Sequence, residues 1–113
     1  MIKLLEMKKI LLMLLLTLGS FAVQAQESPE WHTDIQKAVK LSEKSKKPLL
    51  MFFTGSDWCG WCIRLQKEVL KTAEFAKWAK ENVILVELDF PRRTEQPQEL
   101  KTQNAQLLSL IHI

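Results

Sequence analysis

The sequence predicts an α/β layered fold in which helices cover a parallel sheet. Leu49–Phe53 is a continuous apolar run like a strand buried on both faces, and 83-VILVELDF-90 reads as a second strand. The segments around them repeat apolar residues at three- and four-residue spacing, the period of a helix. Two buried strands joined by a helical crossover pair in parallel, with a right-handed connection. The expected order over residues 31–108 is helix, strand, helix, strand, helix.

The first 25 residues stand outside this order. Lys3, Lys8 and Lys9 make a positive front end, and Ile10–Val23 is apolar or small throughout. Val23-Gln24-Ala25 places modest side chains where a signal peptidase reads, which predicts a secretory signal peptide cleaved after Ala25. Ile10–Val23 is shorter than the ~20 residues a membrane-spanning helix needs, so no stable anchor is expected after cleavage. Met7 opens an equally compact signal and is an alternative start. Export, to the periplasm or the exterior, implies an oxidising compartment where disulfides persist.

Cleavage removes three lysines and Glu6, leaving 13 basic against 12 acidic side chains. The basic balance of the whole chain therefore resides mainly in the signal. No basic patch interleaved with aromatics remains, which argues against a nucleic-acid partner. The remaining length suits one small domain with a modest core.

Residues 26–30 read as a flexible lead-in. In 31-WHTDIQKAVKLSEKSKK-47, Thr33 and Gln36 fit a capping box, and Ile35, Ala38, Val39 and Ser42 share a face that Leu41 leaves. Lys44, Lys46 and Lys47 suit the negative end of that helix, and Pro48 stops it. After the first strand, Thr54-Gly55-Ser56-Asp57 is turn chemistry. A helix from Cys59 to about Lys71 carries Cys62, Leu65 and Val69 at apolar spacing, with Arg64, Lys67, Glu68 and Lys71 solvated. Thr72 caps a further helical piece with Phe75, Trp78 and Ala79 as its stripe, ended by Asn82. Pro91 closes the second strand, RRTEQPQ is a loop, and residues 98–111 form a helix with Leu100, Asn104, Leu107, Leu108 and Ile111 on one side.

The chemistry concentrates at Cys59 and Cys62, the chain's two cysteines, each preceded by a tryptophan. In the first turn of a helix, positions i and i+3 share a face with β-carbons ~5–6 Å apart. A disulfide needs Cα atoms at about 4.4–6.8 Å, so C-x-x-C can close and open with little backbone movement. The partial positive charge and unpaired N–H groups of the helix start favour a thiolate at Cys59. Cys59, at the exposed turn, is the nucleophile, and Cys62, one turn inside, is the resolving thiol. A structural zinc site needs four ligands, whereas two cysteines are present and His32 and His112 are not at finger spacing. As a passive staple the pair would close a loop too short to constrain the unfolded chain much. Trp58 is expected to pack beside the site, and Trp61 to lie at its exposed rim.

The string 47-KPLLMFFTGSDWCGWC-62, the amphipathic helix after it and VILVELDF resemble the thioredoxin superfamily, and in particular exported bacterial thioredoxin-like proteins with a W-C-G-W-C centre. The likeness covers about residues 31–108. It implies a thioredoxin-like fold and thiol–disulfide oxidoreductase activity on protein substrates, with Cys59 as nucleophile and Cys62 as resolving cysteine. It makes Gly60-Trp61 the dipeptide that tunes redox potential. It implies no metal or organic cofactor beyond the Cys59–Cys62 pair, and a redox partner that resets it.

The sequence departs from the family's pattern in three respects. Trp61 stands where thioredoxins carry proline. Phe53 stands where they place a buried aspartate, which leaves Glu87 as a candidate proton carrier, against the plainer reading of an edge or surface carboxylate. Asp57, next to the site, opposes a thiolate by like charge. The family's cis-proline loop, hairpin and last helix would follow the final helix, whereas Pro29, Pro48, Pro91 and Pro97 all precede it. The expectation is therefore the N-terminal part of the fold, with 109-SLIHI-113 as a non-family tail. Two other readings remain: a non-catalytic binding or chaperone module using the tryptophan rim, and an inactive fragment.

Overall fold

A computed structural model describes residues 3–19 and 28–111. The first helix, α1 (Leu4–Gly19), lies within the predicted signal, and its side chains through Leu16 are exposed. The cleavage site at Val23–Ala25 lies outside the described residues, as do His112 and Ile113. Among the described residues no helix is long and apolar enough to cross a membrane.

The remaining elements are β1 (Trp31–His32), α2 (Ile35–Ser45), β2 (Leu49–Thr54), α3 (Gly60–Leu65), a π-turn (Gln66–Leu70), α4 (Ala73–Asn82), β3 (Ile84–Asp89) and α5 (Gln98–Ser109). They form a parallel three-stranded sheet in the order β1-β3-β2. The two predicted strands pair directly, with Phe52 opposite Glu87 and Thr54 opposite Asp89. The third strand was not expected. Trp31 and His32 leave the predicted helix and pair with Leu85 and Val86, because the other side of β3 still offers backbone groups that need partners.

That pairing moves the start of α2. Asp34, not Thr33, caps it, accepting the Gln36 N–H at 2.9 Å. Gln103, from α5, completes the junction by accepting the Ile35 N–H and donating to the Thr33 carbonyl.

Alternation along β3 divides its side chains between the two sheet faces. Val86 and Leu88 are fully buried against Ala38 of α2, with Ile35, Leu49, Phe53, Ile84 and Leu107 packed around them. Phe53 thus joins this core and stacks on Phe90. Leu85, Glu87 and Asp89 face the other way, toward α3, the π-turn and α4.

On that second face the predicted stripe shifts. Leu65 and Val69 are each 43% exposed, whereas Leu70 is buried and Cys62 and Gln66 are half-buried. The cause is the π-turn, in which Lys71 N–H reaches the Gln66 carbonyl at 2.8 Å. Cys62 and Gln66 share a face at four-residue spacing, and five-residue closure then turns the helix by one residue so that Leu70 points inward in place of Val69. In α4, Thr72 caps as expected, but Ala76 and Ala79 are the buried residues and Trp78 lies half exposed. In α5, Asn104 is buried and donates to the Asp89 carbonyl at 2.9 Å, while Ile111 is exposed.

Lys46 ends α2 in the left-handed region at φ 57°, with its N–H on the Ser42 carbonyl. A side chain there costs roughly 1 kcal/mol relative to glycine. Lys46→Gly is therefore expected to raise stability by about 0.5–1 kcal/mol, measured by urea denaturation. Unchanged or lower stability would contradict a strained cap.

Candidate active site

Cys59 is the N-cap of α3, with extended backbone, and Gly60 is its first helical residue. The Cys62 N–H donates to Cys59 Sγ at 3.2 Å, so the cap is made by sulfur. An N–H aimed at that sulfur favours its anionic form when the pair is open. The two sulfurs are bonded, with Cα atoms 5.3 Å apart, inside the range a disulfide accepts. Cys59 and Cys62 are both half-buried. Among the described residues there is no cluster of three or more His, Cys, Asp or Glu suited to a metal ion.

The turn that presents Cys59 is tied to the C-terminal end of β3. Ser56 donates from its backbone N–H and its hydroxyl to the two carboxylate oxygens of Asp89. Asp57 accepts the backbone N–H groups of Arg92, Arg93 and Thr94 at 2.9, 2.7 and 3.0 Å. The Trp58 indole N–H donates to the Phe90 carbonyl at 2.6 Å. The Trp58 ring lies over Gly55, where any β-carbon would collide with the indole. Loop closure between residues 32 to 37 positions apart is thus made by three successive residues of one turn.

These bonds decide the state of Asp57. The Arg92 N–H, opposed by partial desolvation and helped by the Arg93 and Thr94 amides and the Thr94 hydroxyl, lowers its carboxyl from 3.8 to about 2. Its oxygens are directed at the 92–94 loop, so its chief partners are amides and not the neighbouring sulfur.

The tryptophans differ as expected. Trp58 is 43% exposed and Trp61 is 78% exposed. Each carries an arginine on its ring: Arg92 Cζ lies 3.8 Å from the Trp58 centroid, and Arg64 Cζ lies 5.6 Å from that of Trp61. Arg64 also bonds Glu68 at 2.9 Å.

Glu87 is not at an edge or on the open surface. It sits half-buried on the central strand and accepts from the Gln66 amide at 3.1 Å. Gln66 lies one helical turn after Cys62, and its backbone N–H bonds the Cys62 carbonyl. A cleft of about 380 Å³ opens beside this pair, lined by Trp31, Phe52, Leu70 and Lys71. The Thr54 hydroxyl is buried without a hydrogen-bond partner.

Sequence reasoning placed Cys59, Gly60, Trp61, Cys62, Trp58 and Asp57 together, and the structure does so too. It did not single out Asp89, Gln66 or Arg92. The loop RRTEQPQ carries no spacing signal that would tie it to the cysteines.

A parallel sheet with a disulfide at the N-cap of the helix leaving its second strand defines a redox-type α/β domain. A family model described as thioredoxin-like matches residues 30–109, and the chain belongs to that family. It is 42% identical over 71 residues to the disulfide bond reductase DsbH of Chlamydia pneumoniae, covering 63% of this chain and 43% of that protein. It is 35% identical to the thioredoxin-related protein DsbJ of the same organism over 96% of this chain and 33% of that protein. A solved structure titled DsbH oxidoreductase superposes with a TM-score of 0.72 at 36% identity, covering 79% of this chain and 61% of that one. The chain thus spans less than half the length of the curated relatives and about three fifths of the solved one.

Two outcomes are expected from the tied turn. Gly55→Ala should lose about 1–3 kcal/mol of stability and move the Trp58 emission, because the indole must leave its carbonyl partner. An unshifted spectrum would oppose this. Because the folded carboxyl of Asp57 is depressed, its contribution is complete above pH 3.8 and fades as pH falls toward 2. The Tm advantage of the native protein over Asp57→Asn should therefore shrink across that interval. A constant difference from pH 6 to pH 2 would contradict the assignment.

Proposed function

We propose that this chain is an exported thiol–disulfide oxidoreductase acting on protein disulfides, in the periplasm or outside the cell. The observation that carries this is the Cys59–Cys62 bond at the N-cap of α3, with a backbone N–H aimed at the outer sulfur. The relatives' printed names, disulfide bond reductase and oxidoreductase, support the same reading.

In the reducing direction, the Cys59 thiolate attacks one sulfur of a substrate disulfide. A Cys59–substrate bond forms, and the other substrate sulfur leaves as a thiolate and takes up a proton. The Cys62 sulfur, having given up its proton, then attacks Cys59 Sγ. The mixed disulfide breaks, the second substrate thiolate leaves, and the Cys59–Cys62 bond closes. Two electrons have moved to the substrate, and a partner must return two to reset the pair. No metal or organic cofactor enters this scheme. Gly60 and Trp61, between the sulfurs, tune the potential. Trp58 and Asp57 hold the turn that presents Cys59.

Glu87 takes the proton that Cys62 releases. Its support is its place on the sheet face toward α3, its bond to Gln66 one turn below Cys62, and the cleft beside both. The other charged side chain lining that cleft is Lys71.

The decisive assay is turnover of a protein disulfide with excess dithiol. Cys59→Ser should abolish turnover, and Cys62→Ser should accumulate the mixed disulfide on Cys59. Equal rates for the native chain and Cys59→Ser would remove the enzyme and leave a binding module built on the tryptophan rim. Glu87→Gln should slow disulfide closure about 10²-fold with a flattened pH profile, while alkylation of Cys59 proceeds as in the native chain. A closure profile identical to the native one would exclude Glu87 as the acceptor.

A further inference from the structure

Arg92 belongs to a loop that the disulfide chemistry above does not use, yet it is held more firmly than a surface arginine needs to be. Its backbone N–H is bound by Asp57, and the next two residues are bound by the same carboxylate. Its guanidinium lies 3.8 Å from the centre of the Trp58 ring. That ring is itself held by Phe90 and packed over Gly55. Trp58 precedes Cys59, so a positive, planar group is stacked on the side chain next to the cysteine in the chain.

Stacking uses the π face of a guanidinium and leaves its N–H donors pointing outward in the plane. Those donors match a carboxylate in two-point geometry. Among the described residues, neither Arg92 nor Arg93 pairs with a carboxylate. The acids tied to this loop and turn are otherwise engaged: Asp57 by the 92–94 amides and Asp89 by Ser56. Glu95, farther along the loop, is exposed and lies within the same segment. Arg64 on Trp61 already spends a donor on Glu68, which leaves Arg92 as the better-prepared receptor.

We propose that Arg92, stacked on Trp58, binds an acidic side chain next to the substrate's disulfide, so that the preferred substrates are proteins whose reactive cystine is flanked by Asp or Glu. This deepens the oxidoreductase reading and rests on it. A carboxylate so held would orient the substrate's sulfurs toward Cys59. The cation would also offset the repulsion between an acidic segment and the attacking thiolate.

The test uses the full chain and three peptides that carry one disulfide and differ only in the residue beside it: Glu, Gln or Lys. The native chain should reduce them in that order, with kcat/KM for Glu about fivefold above Gln at low salt. At 1 M NaCl, where charges are screened beyond about 3 Å, the ratio should fall toward one. Arg92→Gln should bring the Glu/Gln ratio to about one, and Arg92→Lys should keep part of it. Equal rates for the three peptides, or a ratio that survives both salt and Arg92→Gln, would overturn the assignment.

If no peptide is reduced, the oxidoreductase reading falls, but the receptor is still decided. The same peptides with serine in place of cysteine, titrated against tryptophan fluorescence, should bind in the order Glu, Gln, Lys. Equal affinities would reject the receptor independently of turnover.

Discussion

The site depends on a carboxylate cradled by backbone amides. Asp57, two residues before Cys59, gathers three consecutive N–H groups from the loop after β3. Ser56 and Trp58, its neighbours, make the reciprocal bonds to Asp89 and Phe90. A turn would normally be the softest part of such a domain. Here it is bound on three successive residues to the end of the central strand. Cys59 thereby inherits the rigidity of β3, and α3 begins where the cysteine sulfur can serve as its cap.

The sheet supplies the frame for this. Parallel pairing of β2 with β3 places both C-terminal strand ends on one edge, where α/β folds characteristically put their chemistry. One face is closed by α2 and α5 over Val86 and Leu88. The other receives α3 and its π-turn. Gln66, four residues after Cys62 on the same helical face, meets Glu87, so the helix that holds the cysteines is anchored below as well as above. The π-turn that begins there brings Leu70 inward in place of Val69. π-Turns of this kind often mark functional positions, and this one sits one turn past Cys62.

The surroundings of the pair fall into two regions. Glu87, Gln66 and the cleft beside them lie on the sheet face toward α3. Trp58, Trp61 and their arginines form an exposed rim. The two are separated by the short helix itself, so each can be altered with the other in place.

The α/β class, both long strands, their parallel pairing and the place of the cysteine pair at a helix start were legible from sequence alone. Each is set by local terms: largely apolar runs, helical spacing, and two sulfurs three residues apart. The capping by Thr72 and the stop at Asn82 were legible for the same reason. The strand at Trp31–His32 was not, because two residues have no periodicity and were recruited by the open side of β3. Nor were Gln66 and Leu70 as the inward residues after Cys62, since the π-turn answers to packing on the sheet and not to any residue type within it. The roles of Asp89 and Arg92 were hidden for a simpler reason. They lie 27 to 33 positions from the cysteines, and only the closed chain brings a carboxylate, an indole and a guanidinium into the contacts that define the site.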